Sequence, residues 1–191
     1  MALFPSTPAP IDPVTIKPRW NTIITGFDSA SEQRIQKWSF PKFDVELTYE
    51  LVTPIALMKN IWDFFIARKG CAEAFHYYFR HVKTFTDLFV YRADGETSLF
   101  DIPGQNTSSQ SIYVDGVLQE SGYTILYNSG DSNSDQVSFT VAPSDGALIT
   151  CDFTGFLRNR CRFGEDFISE KRFYTTCFST GLTLKGLSFE L

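Results

Sequence analysis

The side chains able to do chemistry are few and scattered along the chain. Asp44 and Glu46 stand two positions apart in the run Phe43-Asp44-Val45-Glu46-Leu47-Thr48-Tyr49. On a strand that spacing puts both carboxylates on one face, roughly 7 Å apart. Paired acids at such a separation serve glycosidases, but alternating acids opposite an apolar face are also what any solvated strand carries. His76 and His81 are the only histidines, and His76 lies inside Phe75-His76-Tyr77-Tyr78-Phe79. With no spaced carboxylate or third ligand beside them, they predict a packed or edge imidazole and no metal site. Cys71, Cys151, Cys161 and Cys177 form none of the close pairs that zinc sites draw on, and read as small buried hydrophobes. No G-x-S-x-G elbow and no glycine-rich phosphate loop occurs. The expectation is a protein with no catalytic residues, no cofactor and no metal.

One charged run is regular. Arg158, Arg160 and Arg162 recur at i, i+2 and i+4, which places three guanidinium groups on one strand face. Two readings stay open: a solvated edge that resists aggregation, or a ladder that meets acidic groups of a neighbouring copy. These three are the candidate assembly contacts.

The elements that must carry these residues are mostly strands. Phe43, Val45, Leu47 and Tyr49 alternate with Asp44, Glu46 and Thr48, a period of two with one apolar face. Residues 20–25 and 35–40 read as strands on either side of a polar connection that holds a formal capping box, Ser29 to Glu32. Residues 75–79 and 83–92 are aromatic and β-branched. Asp115-Gly116 between Ile112-Tyr113-Val114 and Val117-Leu118-Gln119 predicts a two-residue hairpin, and Pro143-Ser144-Asp145-Gly146 a turn. Residues 103–110 and 128–135 read as polar loops, and 183–191 as a returning strand with Leu184, Leu187 and Phe189 inward. A single helix is predicted over 54–69: Thr53 suits its N-cap, Pro54 its first position. Ile55, Met58, Ile61, Trp62 and Phe65 form its apolar stripe, and Gly70 its stop.

The fold class that follows is mainly β, a sandwich or barrel with one flanking helix. Residues 1–19, with five prolines by position 18, read as an extended arm, either frayed or laid across a neighbouring subunit. Residues 20–81 with 156–191 read as one β module carrying the helix, and 82–155 as a distinct β lobe.

Composition agrees with that class. Of 191 residues, 43% are hydrophobic and 20% charged, an ordinary globular balance. Aromatic residues reach 16%, led by 19 Phe, which suits a β-rich core with an added aromatic contact surface. The net charge of −5 is the wrong sign for a protein that neutralises phosphates, so nucleic acid is not expected as the main partner. No stretch is long enough for a membrane helix and no leader is apparent. Folding in a reducing cytoplasm without disulfides is expected.

Several short motifs, in one order along the chain, carry a resemblance. Gly26, then Glu32-Gln33-Arg34, then Trp38 fit a G-x-E-x-R-x-x-x-W-like stretch. The helix ends in Phe64-Phe65-Ile66-Ala67-Arg68-Lys69-Gly70, and Tyr113-Val114-Asp115-Gly116 is followed by a Pro143 to Ala147 turn and by Arg162-Phe163-Gly164-Glu165-Asp166. Over roughly 20–190 this resembles a phage tail family that includes the distal tail proteins of gene transfer agents and is distantly similar to the minor tail proteins of lambda-like siphophages. The chain departs from the family pattern at Lys42 and Phe43 and at Phe75 to Phe79. The resemblance implies a tail-tube-like fold and a structural virion protein in the tail. It also implies a homo-oligomeric ring, usually a hexamer, that joins the tail tube protein to the baseplate hub and tail fibre proteins. A receptor- or carbohydrate-binding tail module is the alternative.

Overall fold

A computed structural model describes residues 1–28, 31–173 and 175–188. Two long strands organise it. β5 (Phe75–Arg92) and β11 (Leu148–Phe163) pair antiparallel from Leu148 opposite Arg92 to Cys161 opposite Phe75. On its other edge β11 takes two partners in succession. β7 (Gly104–Val114) runs beside its first part, ending with Gly104 opposite Leu157. β13 (Cys177–Gly186) takes over from Cys161 opposite Gly186. β13 then pairs with β4 (Lys42–Val52), and β4 with β1 (Ile11–Arg19). The order β1-β4-β13-β11-β7-β8, with β8 at Val117–Leu118 and β12 (Lys171–Phe173) beside β13, makes one sheet that curls into a half-barrel. A small sheet of β6 (Leu99–Asp101), β10 (Gln136–Phe139) and β9 (Tyr123–Leu126) stands apart from it. A third, two-stranded ribbon joins β2 (Thr22–Gly26) to β3 (Glu32–Gln36). The mainly β class with one flanking helix is therefore what the chain forms.

The alternation in β4 does the expected work: Phe43, Val45, Leu47 and Tyr49 are buried, while Glu46, Thr48 and Glu50 are exposed. They join one continuous core with Ile112, Val137, Ile149, Phe153, Leu157, Phe178 and Leu184. Much of the aromatic content is spent at one end of it. Phe163 lies with ring centroids 4.9 Å from Phe65, 4.9 Å from Phe75 and 6.2 Å from both Phe4 and Phe64, mostly in the tilted or edge-on arrangements that aromatic pairs favour.

The helix is shorter than predicted. A 3-10 turn at Ile55–Leu57 leads into α1 (Met58–Ala67), so Pro54 precedes the turn, Leu57 takes the α-helical N-cap position, and no side chain caps either start. Met58 and Ile61 are buried and Phe65 packs on the core, but Trp62 remains 41% exposed. Lys69 and Gly70, both at positive φ, end it as a glycine stop would.

Three expectations are corrected by strand pairing. The proline-rich start is extended but docks on its own chain: Phe4 is buried, with Phe4 N–H donating to His76 O and His76 N–H to Ala2 O. Residues 11–19 become β1, an edge strand whose register shift between Ile11 and Thr15 accommodates Pro13. Residues 103–110 are not a loop but most of β7, bent by Asn106 and Ser109 at positive φ. The divide drawn at 81/82 and 155/156 falls inside β5 and β11, so no linker separates a lobe there, although β6, β9 and β10 do form a separate sheet within it. Of the ribbon strands, β3 ends at Gln36 rather than reaching 40. Leu184 is buried as expected. Ser29 of the capping box and Phe189 lie outside the described residues.

The two strands that share the edge of β11 meet it through glycine. A Cβ on Gly186 would strike the backbone of Phe43, and one on Gly104 would meet the Phe153 ring at 2.7 Å. Gly186→Ala should lower the unfolding free energy by about 1–3 kcal/mol or more, as overpacking does. Gly181→Ala, whose nearest neighbour would be Leu47 O at 4.0 Å, should change it by less than about 0.5 kcal/mol. Denaturant melts of the two variants compare them directly.

Candidate assembly surface

The acids considered for catalysis do not act together. Asp44 is not on a solvated face but 7% exposed. It accepts from Gly186 N–H at 2.9 Å and lies 3.1 Å from Arg19 Nε and 3.3 Å from Lys185 Nζ. Burial alone would raise its pKa; the Gly186 amide and the two cations outweigh it and hold it below the ordinary carboxylate value. That is the opposite of what a proton donor needs. Glu46, exposed, pairs with Lys17 at 2.6 Å. Asp44 thus fastens β1 and the end of β13 to β4. Among the described residues no three His, Cys, Asp or Glu side chains group as metal ligands, and none of their helices is long and apolar enough to cross a membrane. The four cysteines are unpaired, three of them buried and Cys71 partly so.

The arginine run is neither a solvated edge nor a free ladder, because β11 is the central strand. Arg158 is 7% exposed. Its Nη1 donates to Asp101 Oδ2 at 2.9 Å, to Ser134 Oγ at 2.8 Å and to Asp131 O at 2.8 Å. Arg160 and Arg162 are half-buried and turn to Ser188 O and Phe163 O. The loop at 128–135, read from its composition as a polar loop, is held by the same network: Asp135, fully buried, accepts from Thr107 N–H and Oγ1 and from Asn128 N–H. Composition marks such a segment as polar but carries no sign of the long-range partners that bury it.

His76 belongs to this network. It is buried, its Nδ1 lies 3.1 Å from Ser132 Oγ, and its pKa is pushed down to about 4 by burial first and then by Arg158, against the pull of Asp131. The packed imidazole expected from its setting is what the fold holds.

The motif positions fall into three places. Phe163 and Asp166 join the helix to β11: Phe163 fills the aromatic end of the core, and Asp166 accepts from Cys71 N–H at 2.8 Å, close against Gly70. Asp115 and Gly116, at φ 50° and 76°, make the hairpin between β7 and β8, and Asp115 Oδ1 accepts from Leu148 N–H at 2.8 Å. Gly26, Glu32 and Arg34 lie on the β2–β3 ribbon, where Arg34 and Glu32 pair at 2.7 Å. Trp38 sits at its base, with Lys42 Nζ 4.1 Å and the Arg19 guanidinium 5.1 Å from its ring centroid, positions that suit cation–π attraction.

The ribbon is the surface that stands out. Every residue of both strands is exposed, and the strands pair with each other alone. Trp20, Ile23, Ile24, Phe27 and Ile35 are 43–58% exposed, and Ile23 pairs directly with Ile35 across the ribbon. That residues 20–25 form a strand is readable in the sequence; the detachment of the ribbon from the main sheet is not. A smaller feature lies beside α1, where exposed Trp62 flanks a groove lined by Lys59, Glu170 and Arg172. No protein-family model matches this chain, and no curated protein matches it.

The buried imidazole has a measurable consequence. Its folded pKa lies below the ordinary 6.5, so the unfolded chain takes up the proton first as pH falls. Stability should be unaffected by this group above about pH 6.5 and should decline from there to about pH 4, by up to one proton's linkage. Denaturant melts across that window, with His76→Gln flattening the decline, check the effect. An NMR titration placing the His76 midpoint near 6.5 would remove its basis.

Proposed function

We propose that this protein is a structural component of a bacteriophage tail that works by assembly and transforms no substrate. In this reading copies of the chain close into a ring of six at the end of the tail tube, in the virion tail. The ring joins the tail tube protein to the baseplate hub and the tail fibre proteins. The observation that carries the proposal is the β2–β3 ribbon, an exposed two-stranded arm that carries Ile23, Ile24 and Ile35 and, among the described residues, pairs with no other strand. An isolated hairpin is marginal in water, and burying those side chains against a second molecule removes both liabilities. A head-to-tail ring needs two different patches on each subunit. The ribbon is one, and the open edge of the main sheet at β1 offers the other. The motif order from Gly26 to Asp166 supports the tail assignment. Buried Arg158 and half-buried Arg160 and Arg162 are given an internal role here in place of the assembly role first considered.

A second reading, a receptor- or carbohydrate-binding tail module, is favoured by one observation. Trp62 is exposed beside polar Lys59, Glu170 and Arg172, and a flat aromatic face among hydrogen-bonding groups suits a sugar ring. Saturable binding on a glycan array that is lost in Trp62→Ala is the outcome that would select it.

Native mass spectrometry of the purified chain tests the leading reading. A closed oligomer is expected, six-fold in mass. Ile24→Asp, at an exposed position, should leave the melting transition within about 0.5 kcal/mol of wild type while dispersing the ring. A chain that stays monomeric at every concentration, and is absent from mature virions, would refute the proposal.

A further inference from the structure

A cavity of about 390 Å³ opens where β6 of the small sheet faces β5 and β11 of the large one. Arg158 and Arg160 line it together with Val90, Tyr91, Leu99 and Phe100. The two arginines stand two positions apart on β11, so their side chains leave the same face of the strand. Mostly apolar walls with a few polar groups are the usual make-up of a small-molecule site.

Neither guanidinium is saturated by the chain. Arg158 makes its bonds through Nη1 alone, and Arg160 makes one, from Nη1 to Ser188 O at 3.0 Å. Nε of each is buried without a partner, so those two atoms are closed to any ligand. Nη2 of each also lacks a partner among the described residues, but it is not sealed from solvent.

The charges around the cavity nearly cancel. Asp101 answers Arg158 at 2.9 Å, and its other contacts are the donors Asp131 N–H and Gln136 Nε2. The Met1 amine pairs with Asp131 at 2.8 Å. His76 is uncharged near neutrality, its pKa being pushed down to about 4. Arg160 has no ion pair among the described residues. What remains is a single uncompensated positive charge beside an apolar wall. A monoanion matches it and a dianion does not.

We infer that this cavity binds a short-chain aliphatic carboxylate. The carboxylate bridges Nη2 of Arg158 and Nη2 of Arg160, and the chain lies along Val90 and Leu99. Tyr91 and Phe100 are already in ring contact at 5.2 Å, so they wall the cavity and nothing enters between them. Charge-assisted hydrogen bonds are the stronger kind, and each methylene taken out of water adds to them. The inference does not rest on tail assembly, since none of these residues belongs to the ribbon.

The test is NMR titration of the full chain with hexanoate, hexanamide, acetate and hexyl phosphate. Saturable shifts at Arg160 and Leu99 are expected with hexanoate. The uncharged amide should bind about tenfold more weakly or worse, and so should acetate, which lacks the chain. Hexyl phosphate should gain nothing over hexanoate. Arg160→Gln should bring hexanoate down to the level of hexanamide. Leu99→Ala, at an exposed position outside the core, should weaken hexanoate and leave acetate unchanged, and it carries the test if Arg160→Gln does not fold. No saturable shift, hexanamide or acetate binding as tightly as hexanoate, tighter binding of hexyl phosphate, or unchanged hexanoate affinity in either variant would each overturn the assignment. Ring formation is unaffected by any of these results.

Discussion

A strand has two edges, and β11 must serve three partners. β5 holds one edge throughout, so β7 and β13 divide the other, and the changeover falls at Arg158, Asn159 and Arg160. There the ladder is completed by single bonds: Arg158 N–H donates to Pro103 O at 3.0 Å, and Leu187 N–H to Arg160 O at 2.9 Å. Where two strands part, backbone groups and space are left that neither covers, and burying them unpaired is costly. The polar side chains at the changeover fill that space. Asn159, fully buried, donates to Phe43 O on β4. Arg158 reaches across to Asp101 and Ser134, tying the small sheet to the large one.

The same constraint decides where glycine is needed. β7 begins at Gly104 and β13 ends at Gly186, the two residues that approach the changeover most closely. At each, the room a side chain would take is occupied by Phe153 or Phe43. Asp44 then closes the arrangement, taking the Gly186 amide on one side and Arg19 of β1 on the other. A carboxylate that composition assigns to the solvated face of β4 is in this way part of the join between three strands. Removing the Asp44 carboxylate leaves the buried Gly186 N–H without its partner, which costs more than a hydrogen bond contributes net.

What was legible in the sequence follows from this geometry. β4 is readable because its alternation reflects one buried and one wet face, and the Asp115-Gly116 turn because its positive φ angles demand those residue types. Both are local properties. β7 is not readable over 103–110, because its Gly, Asn, Ser and Gln residues become a strand only through bulged pairing with β11 and the hold of Asp135 on Thr107. The arginine run has the spacing of a solvated edge; only long-range pairing makes β11 central and turns its guanidinium groups inward. The unity of β5, and with it the absence of a boundary at 81/82, is hidden because Arg80 to Thr84 are exposed and look like a polar break. Of the candidate surface, the apolar residues 20–27 are plain in the sequence, while their separation from the core is a fact of topology.

That separation sets the character of the molecule. Polar groups inside it are tied across strands, Asp135 to Thr107 and Asn128, Arg158 to Asp101 and Ser134, and Asn159 to Phe43 O, and such buried networks favour one way of packing. The ribbon has the reverse design. It has five residue pairs, one exposed ion pair and the Trp38 stack at its base, and exposed ion pairs add little. The conformational entropy of ordering the ribbon is therefore offset only weakly within the chain, and opening it locally should cost far less than unfolding the barrel. In the proposed assembly role, a molecule lying against Ile23, Ile24 and Ile35 would supply the contacts that order it. The stiffness of the barrel matters to that event because it fixes where Trp38 presents the ribbon, so that ordering the arm is the main entropy a partner must overcome.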